Sequence, residues 1–527
     1  MLVKTFCAAV MGLEATTITI EVNMTRGVMF HLSGLADTAV KESYDRIRAA
    51  MSNIGFKPPT ADLTINLSPA DIRKEGSSYD LPLAVGILAA HGKVSETMLS
   101  EYMMIGELGL DGKLKPVSGV LSVAIRARKE KFKGLLVPRE NAREAAVVNN
   151  LDIYAMDNLA DVICFLNGSE QYEPTIVDTR KEFYEHQYNF DLDFADVRGQ
   201  ENVKRALEVA AAGGHNLIMI GSPGSGKSMM AKRLPSILPP LSLAESLETT
   251  QIHSVAGKLI SGTSLISQRP FRSPHHTVSQ VAMTGGGNRA LPGEVSMAHN
   301  GVLFLDELAE FSKTTLEVLR QPLEDRKITI SRAKYTVEYP CSFMFVASMN
   351  PCPCGYYGDP THHCVCTPGQ ISRYLSKISG PLLDRIDIHC EVQAVPFAQL
   401  SQMQPGEPSA VIRERVIKAR QIQEARYSSL TSGEGGARSR IYCNAQMTEK
   451  MIHQFAEPDA RGLEMLRMAM ERLSLSARAY SRILKVARTI ADLEGSEKVQ
   501  TSHIGEAIGY RSLDRGDWAE RGNCGQS

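Results

Sequence analysis

The sequence lacks a strong net charge, a long apolar run and any internal repeat. Its 527 residues carry a formal net charge of −1, so no global basic field indicates a nucleic-acid partner. Any contact with DNA or RNA must therefore come from local basic patches or from assembly. The longest apolar run, at residues 81–90, is too short to cross a bilayer, and no membrane partner is expected.

Cysteine is scarce along most of the chain, with ten in 527 residues. The amino-terminal stretch MLVKTFCAAVMGLEA carries Lys4 and a short apolar run, which Glu14 interrupts before a strand pattern begins. We expect no signal peptide, a reducing compartment and a cytoplasmic location. The 43% hydrophobic and 22% charged content is typical of globular proteins, and the length predicts about two to four domains.

Composition and periodicity divide the chain into five segments. Residues 1–168 mix alternating strands with helices, and residues 169–192 are charged and aromatic without a clear period, as expected of a linker. From 193 to 397, apolar strands alternate with helical segments, which predicts a parallel α/β sheet. The spacing is helical from 398 to 512, and we expect a disordered tail at 513–527.

The strongest motif is NLIMIGSPGSGKSMMAKRL, in which an apolar strand runs into G-x-x-x-x-G-K-S before a helix. Such a loop surrounds a polyphosphate with backbone N–H groups and the dipole of the helix. Lys227 is predicted to reach the β- and γ-phosphates of ATP, and the hydroxyl of Ser228 to hold Mg²⁺. The residues predicted to bind the nucleotide are Gly221, Ser222, Pro223, Gly224, Ser225, Gly226, Lys227, Ser228 and Met229.

Two further apolar strands end in polar side chains. GVLFLDE ends in Asp306, predicted to coordinate Mg²⁺, and Glu307, predicted to polarise the attacking water. FMFVASMN ends in Asn350, which is expected to orient that water or contact the γ-phosphate. The alternative for Asn350 is a turn-forming role before Pro351.

Two arginines are candidates for a further nucleotide contact. Arg385 lies in GPLLDRIDIH. In a self-contained ATPase it would pair with Asp384 or Asp387, whereas in a ring it would reach the γ-phosphate of a neighbour. Arg478 opens a carboxy-terminal helix and is predicted to reach the nucleotide from a helical lid, although arginines at such positions are often merely solvated.

A hairpin pattern carries the candidate DNA contacts. KITISRAKYTVEY alternates like a two-stranded ribbon with Arg332, Lys334 and Tyr335 near its tip. Cations there can pair with phosphates and the aromatic ring can stack on a base. Arg289 supplies another charge beside the glycines of residues 285–287. The alternative is an edge hairpin kept soluble by its charges.

Four of the ten cysteines crowd into NPCPCGYYGDPTHHCVC as two C-x-C pairs. Two close thiolate pairs on either side of a Gly- and Pro-bearing loop suit a closed, structural zinc site. The predicted ligands are Cys352, Cys354, Cys364 and Cys366. His362 and His363 are spare candidates, and disulfides or free thiols are the alternatives. The adjacent His275 and His276 point in different directions on any helix or strand, so we expect packing or capping there.

The order of these motifs resembles that of AAA+ ATPases, specifically the magnesium-chelatase-like clade. FRSPHHTVSQVAMTGGGNRALPGEVSMAHNGVLFLDE and LEDRKITISRAKYTVEYPCSFMFVASMNPCPCG are closely similar to the ComM/YifB family. The resemblance implies a P-loop parallel-sheet core with a helical lid, a homo-hexameric ring, nucleotide at subunit interfaces, and two pore hairpins, at residues 284–288 and in ITISRAKYTVEYP.

The resemblance also implies a function. ComM-like proteins are expected to be DNA helicases that drive branch migration and so promote integration of single-stranded DNA during natural transformation and homologous recombination. The implied partners are single-stranded and branched DNA, with a recombinase as a further candidate. A magnesium-chelatase-like ATPase chaperone and an ATP-dependent protease or unfoldase are the alternatives.

The amino-terminal stretches IRKEGSSYDLPLAVGILAA and GELGLDGKLKPVSGVLSVAIRARKEKFKGLLVPREN resemble the Lon protease domain, a ribosomal-S5-like α/β fold. Lon-type peptidases use a Ser–Lys dyad. The serine position matches Ser78, but the lysine position falls on Leu121, so no peptidase activity is expected. Ser78 is instead predicted to cap the following helix, and Lys115 and Lys74 are the only spatial substitutes considered for the missing base.

Overall fold

The computed structural model describes residues 2–260, 262–332, 335–359, 362–393, 405–428, 441–473 and 475–511. The predicted tail at 513–527 and the predicted DNA contact Lys334 lie outside these residues. The backbone of Tyr335 is described, but its side chain is not. Across the described ranges, no helix is both long and apolar enough to span a membrane.

The amino-terminal domain is a mixed sheet with helices packed against it. Its strands are β1 (Leu2–Met11), β2 (Glu14–Thr25), β3 (Phe30–Ser33), β4 (Asp62–Ser68), β5 (Tyr102–Met104), β6 (Glu107–Leu108), β7 (Leu114–Lys115), β8 (Gly134–Pro138) and β9 (Asp152–Met156). Its helices are α1 (Thr38–Lys41), α2 (Ser43–Asn53), α3 (Asp80–Ala90), α4 (Val120–Lys129), α5 (Arg139–Ala145) and α6 (Leu159–Asn167). The seven-stranded sheet has the order β3-β4-β2-β1-β5-β8-β9.

Helices cover this sheet with their apolar residues. Every residue of α3 is buried, and α3 packs on β1 and β2. Helix α4 buries Leu121 and Val123 on its inner side and ends in basic residues. The sheet and helices share one hydrophobic core, which is the mixed α/β arrangement expected for the first segment.

The segment predicted to be a linker contains a helix, α7 (Thr179–His186), that packs against both flanking domains. Phe183 is buried. Glu182 accepts hydrogen bonds from Arg143 (2.6 Å) in the amino-terminal domain and from Ser264 (2.6 Å) in the following domain. Only one aromatic face and one carboxylate hold this short helix, so the sequence shows no sustained apolar period there.

The central domain is a three-layer α/β unit. Its strands are β10 (Leu217–Gly221), β11 (Phe271–Arg272), β12 (Gly285–Gly286), β13 (Leu291–Pro292), β14 (Val302–Leu305), β15 (Lys327–Arg332), β16 (Tyr335–Pro340), β17 (Met344–Met349) and β18 (Ile388–Val392). Its helices are α8 (Glu201–Gly213), α9 (Lys227–Arg233), α10 (Leu243–Val255), α11 (Gln280–Thr284), α12 (Glu294–Met297), α13 (Lys313–Glu317), α14 (Arg320–Asp325), α15 (Pro368–Leu375) and α16 (Gly380–Leu383).

The main sheet of this domain is all-parallel, with the order β11-β14-β17-β10-β18. Strands β10, β14 and β17 are buried at every residue, as expected for central parallel strands covered on both faces. Two short antiparallel pairs, β12–β13 and β15–β16, extend from this core. Both coincide with the positions expected for inserted hairpins.

A helical bundle follows the sheet. Its helices are α17 (Ser409–Ser428), α18 (Glu449–Phe455), α19 (Ala460–Arg472), α20 (Ala477–Leu493) and α21 (Thr501–Gly509). Helices α17 and α20 pack on α8 of the central domain, so the bundle and the sheet share a core. Arg426 and Asn444 both contact the buried carboxylate of Asp492 (3.0 and 2.8 Å), which ties α17 to α20.

Candidate active site

The glycine-rich loop lies between β10 and α9, where the sequence predicted it. Gly224 and Gly226 adopt positive φ angles of 77° and 90°, which allow the backbone to curl before the helix begins. Lys227 is 8% exposed, and its ammonium donates to the carbonyls of Gly221 (2.7 Å) and Ser222 (2.9 Å). Burial lowers the pKa of Lys227. The loop therefore holds its cation inward, where a polyphosphate would be bound.

The two predicted Mg²⁺ ligands are in direct contact. The Ser228 hydroxyl donates to the Asp306 carboxylate over 2.6 Å. One hydroxyl and one carboxylate beside a phosphate-binding loop are the hard oxygen ligands that Mg²⁺ takes together with phosphates. The residues present therefore fit the metal.

Ser348, on β17, is a site residue that the sequence analysis missed. Its hydroxyl donates to the other Asp306 oxygen, and it accepts from the backbone N–H of Glu307 (3.4 Å). The signal was one buried hydroxyl in the otherwise apolar strand MFVASM. A buried polar side chain needs a partner, and here the partner is the carboxylate of Asp306, which is predicted to coordinate Mg²⁺.

Asn350 completes the group at this edge of the sheet. Parallel pairing of Ile220 with Met349 places the ends of β10 and β17 side by side. The Asn350 side-chain oxygen consequently lies 3.4 Å from the Lys227 ammonium. A residue that only formed a turn before Pro351 would not need to face the loop lysine, so the geometry favours the nucleotide role.

The Glu307 side chain extends from this group into solvent. Its backbone is left-handed, with a φ of 54°, which is uncommon for a residue other than glycine. Its side chain is 59% exposed and lies 3.9 Å from the imidazole of His276. His275 stacks on His276 with a centroid separation of 4.0 Å and contacts Thr277 (3.0 Å). The expected packing or capping role therefore suits His275, whereas His276 faces the predicted catalytic carboxylate.

Arg385 lies at the opposite edge of the sheet from the glycine-rich loop. Strand β18 runs parallel to β10, with Ile388 beside Leu217 and Val392 beside Gly221. Arg385 precedes β18 and so lies at the amino ends of the strands, whereas the loop follows their carboxyl ends.

The partners of Arg385 differ from both carboxylates considered from the sequence. Its guanidinium pairs with Glu324 and donates to the Pro381 carbonyl, rather than pairing with Asp384 or Asp387. The side chain is 8% exposed.

Arg478 lies at the same far edge. Its guanidinium is 3.6 Å from the Asp384 carboxylate, and its side chain is 64% exposed. The structure therefore brings Arg385 and Arg478 together and holds both away from the loop of their own chain.

A buried ion-pair network joins this edge to the helical bundle. The Asp387 side chain is 1% exposed and contacts Arg482 from α20, the His215 imidazole (3.2 Å) and the Asn216 backbone N–H (3.2 Å). Burial opposes ionisation of Asp387, but the charge of Arg482 and the contact with His215 outweigh it and hold the pKa of Asp387 well below its usual range. Burial lowers the pKa of His215.

The four cysteines of the two C-x-C pairs converge into one cluster. All four sulfur atoms lie within 4.8 Å of one another. Cys352 Sγ is 3.3 Å from Cys354 Sγ and 3.7 Å from Cys364 Sγ, and the latter two are 3.5 Å apart. Tetrahedral zinc with bonds of about 2.3 Å would separate its sulfurs by about 3.8 Å. The donor set therefore fits zinc.

The cysteine cluster is attached to the nucleotide site. Gly355 has a φ of 88°, and a Cβ there would lie 2.6 Å from Pro223 of the glycine-rich loop. Burial opposes ionisation of the Cys354 thiol. The backbone N–H groups of Tyr356 and Val365 stabilise the thiolate and outweigh this effect, so the pKa of Cys354 is lowered to about 6. His362 stacks on Tyr356 instead of joining the sulfurs.

The two hairpins touch each other beside the amino-terminal domain. The Tyr339 hydroxyl of β16 donates to the Ala290 carbonyl (2.9 Å) of the first hairpin. Arg332 is exposed at the end of β15. A Cβ on Gly286 would lie 2.8 Å from the Arg332 guanidinium. Arg289 lies instead beside Gly76 of the amino-terminal domain. The two predicted DNA contacts whose side chains the structure describes, Arg332 and Arg289, therefore have different neighbours.

Ser78 has no base in the amino-terminal domain. Leu121 is fully buried and its backbone N–H donates to Glu144. Within the described part of the chain, Lys74 bonds the Pro69 carbonyl and Lys115 lies 3.8 Å from a glutamate carboxylate, so neither lysine contacts Ser78. The predicted capping role of Ser78 is wrong: α3 begins at Asp80 without a side-chain cap.

Comparison with protein families accounts for most of the chain. Models described as magnesium chelatase subunit ChlI match residues 193–400 and 20–141, and the model of its carboxy-terminal part matches 406–511. Together with the fold and the site, these matches define a P-loop ATPase of the AAA+ class, preceded by an α/β domain.

Individual relatives narrow this class. Competence protein ComM of Haemophilus influenzae is 42% identical over 97% of both chains, and the uncharacterized protein YifB of Escherichia coli is 42% identical over 96% of both. Lon protease 2 of Bacillus subtilis is 26% identical over 27% of this chain and 26% of its own length. The chain belongs to the ComM/YifB family of magnesium-chelatase-like AAA+ proteins.

Proposed function

We propose that this protein is an ATP-hydrolysing motor that works as a homo-hexameric ring on DNA. The observation that carries the proposal is the separation of its nucleotide-binding parts. Lys227, Asp306 and Asn350 meet at one edge of the sheet, whereas Arg385 and Arg478 lie at the other. If two copies pack head to tail, the loop of one copy and the arginines of the other form one complete site between them. Repetition of such a head-to-tail contact can close a ring.

Each residue then has a defined task. Lys227 and the loop N–H groups bind the phosphates, and Ser228 and Asp306 hold Mg²⁺, which neutralises charge on the phosphoryl group when bound. The exposed Glu307 carboxylate accepts a proton from the attacking water, and Asn350 orients that water. The neighbour's arginines stabilise the charge that develops in the transition state.

The DNA part of the proposal rests on the hairpins and on the relatives. Arg332, Lys334 and Tyr335 lie on the second hairpin, and Arg289 on the first. Their cations would follow a phosphate backbone, and Tyr335 would stack on a base. The similarity to a protein named for competence supports a role in natural transformation. We propose that this role is branch migration in homologous recombination, with single-stranded and branched DNA as substrates and a recombinase as partner.

The cysteine cluster is proposed to be a structural zinc site. Its four sulfurs would supply all four ligands of a zinc ion, as is typical of structural sites. The cluster stays reduced in the cytoplasm, the location that we propose. Because the loop contacts Pro223 and follows Asn350 directly, the metal would hold both nucleotide-binding segments in register.

The test is ATPase activity measured without DNA and with single-stranded, duplex and forked DNA, together with migration of a branched junction. Lys227→Ala should abolish nucleotide binding, and Glu307→Gln should retain binding but lose hydrolysis. DNA-stimulated turnover with junction migration is the expected result. ATP hydrolysis that no DNA stimulates, with no strand displaced, would refute the motor.

A further inference from the structure

A cleft of about 670 Å³ lies between the amino-terminal domain and the two hairpins. Its walls include residues 8–12, 75–79 and 116–119 of the amino-terminal domain, and Arg289 and Tyr339 of the hairpins close it. None of the glycine-rich loop residues lines it. It is therefore a second concave site, and the ATPase chemistry makes no use of it.

The lining indicates which part of the sheet the cleft follows. Each of the three wall segments contributes consecutive residues. A cleft over the face of a strand would be lined by alternate residues, since side chains alternate between the two faces. Of these segments, only residues 8–11 belong to a strand, and their consecutive lining means that the cleft runs along the backbone edge of β1.

That edge of β1 is open where it borders the cleft. Strand β1 pairs with β2 along its whole length, but on its other side it pairs with β5 only through Phe6 and Met103. Among the described residues, no strand pairs with residues 8–11 on that side. An open edge presents backbone N–H and C=O groups that an extended peptide can take up as an added strand.

The charges in the cleft favour a peptide over a polyanion. The Arg289 guanidinium lies beside Gly76, where a Cβ would be 2.6 Å from it, and no carboxylate of the described residues pairs with it. Glu75 pairs with Arg73 (2.9 Å), and Glu107 accepts from Ser77. These carboxylates and Asp71, which also lines the cleft, would repel a chain with a phosphate at every unit. One peptide carboxylate would match Arg289, the lining arginine that no carboxylate of the described residues pairs with.

We propose that this cleft binds an extended peptide segment of a partner protein that carries a single carboxylate, adds to β1 as a strand and pairs that carboxylate with Arg289. About four to six residues would be covered, given a strand rise of about 3.3 Å per residue. Ser78 lines the cleft without a base, so the peptide is held intact. Because Arg289 and Tyr339 belong to the hairpins, a peptide bound in the cleft would contact the hairpins directly. Arg289 would then serve the peptide rather than the DNA contact proposed for it above, but the cleft itself does not depend on the DNA activity.

The probe is a fluorescein-labelled ten-residue peptide of alternating threonine and valine with one central aspartate, and its binding to the full chain is measured by fluorescence anisotropy. A second peptide carries N-methyl groups on alternate amides, which removes the backbone donors. A third has asparagine for aspartate. We expect N-methylation to abolish binding and the loss of the carboxylate to weaken it about tenfold, as one charge-assisted pair predicts.

Two matched variants locate the peptide. Ser118→Trp fills the cleft from an exposed lining position and should abolish binding, whereas Ser100→Trp, exposed and outside the cleft, should not change it. Arg289→Gln should weaken binding of the aspartate peptide until its affinity equals that of the asparagine peptide. Retained thermal unfolding transitions show that the tryptophan variants are folded.

Four outcomes would overturn the proposal. They are failure of the unmodified peptide to bind, binding that tolerates N-methylation, binding that Ser118→Trp leaves unchanged, and cleavage of the peptide. Full competition by an oligothymidylate would assign the cleft to single-stranded nucleic acid instead. Measured motor activity does not enter any of these outcomes, so the two proposals fail independently.

Discussion

The proposal of an active site shared between neighbouring chains makes a quantitative prediction about mixed rings. In that proposal, Arg385→Ala removes the arginine that a chain presents to its neighbour and leaves its own loop, Asp306 and Glu307 intact. Glu307→Gln does the reverse. Each variant alone should lose activity, the first by about 10³–10⁵-fold if Arg385 stabilises the transition state as such arginines do in related systems.

Mixing the two variants before assembly should restore activity. An active site between two chains is complete when its loop comes from the Arg385→Ala chain and its arginine from the Glu307→Gln chain. Random assembly of equal amounts gives this composition at about a quarter of the interfaces between chains. Turnover should therefore rise to about a quarter of that of the wild type if the sites are independent. The assay is steady-state ATP hydrolysis, with ring formation checked by gel filtration.

A control separates the role of the arginine from that of its ion pair. Glu324 is 53% exposed, so the pair with Arg385 stabilises the fold by little. Glu324→Gln should therefore keep the activity. A mixture no more active than the mean of its two components would show that each chain uses its own arginine, and the reasoning from strand direction would fail.

Four further predictions follow from single contacts. Asp387→Asn should lower the free energy of unfolding by about 3–5 kcal/mol, because it leaves the guanidinium of Arg482 without its carboxylate partner. In denaturant titrations this loss should be present at neutral pH and shrink only in strong acid. The reason is that a carboxyl group with a depressed pKa contributes stability above its unfolded pKa and loses it as the pH falls through its folded pKa. Ser348→Ala should weaken Mg²⁺-dependent ATP binding roughly tenfold in calorimetry, as one hydrogen bond to a charged group predicts, and unchanged affinity would remove Ser348 from the site. Elemental analysis of protein purified without chelators should find about one zinc per chain, and Cys352→Ser should lose the metal along with thermal stability; a metal-free wild type would contradict the site. His276→Phe should lower kcat severalfold with little change in KM, whereas His275→Phe should not, and equal effects of both would show that the contact with Glu307 is incidental.

Local patterns were sufficient for the nucleotide loop and the two polar strand ends. Lys227, Asp306 and Asn350 each follow a short apolar run, and parallel strands deliver their carboxyl ends to the same edge. Ser348 was not predicted because its hydroxyl looks like any small residue in a buried strand. The partner of Arg385 was not predicted because Glu324 lies on a different helix, 61 positions away, and no periodicity encodes that meeting.

The sequence by itself determined the parts whose chemistry is local, because backbone conformation and residue type specify them within one stretch of chain. These parts are the glycine-rich loop, the strand that ends in two carboxylates, and the four clustered cysteines. Tertiary structure alone decided that Arg385 and Arg478 face away from their own loop, that His276 faces Glu307, and that an open edge of β1 borders a cleft. Those facts depend on strand order and domain packing. Burial of apolar surface brings distant residues together, and a local stretch of sequence does not specify which distant segment will cover it.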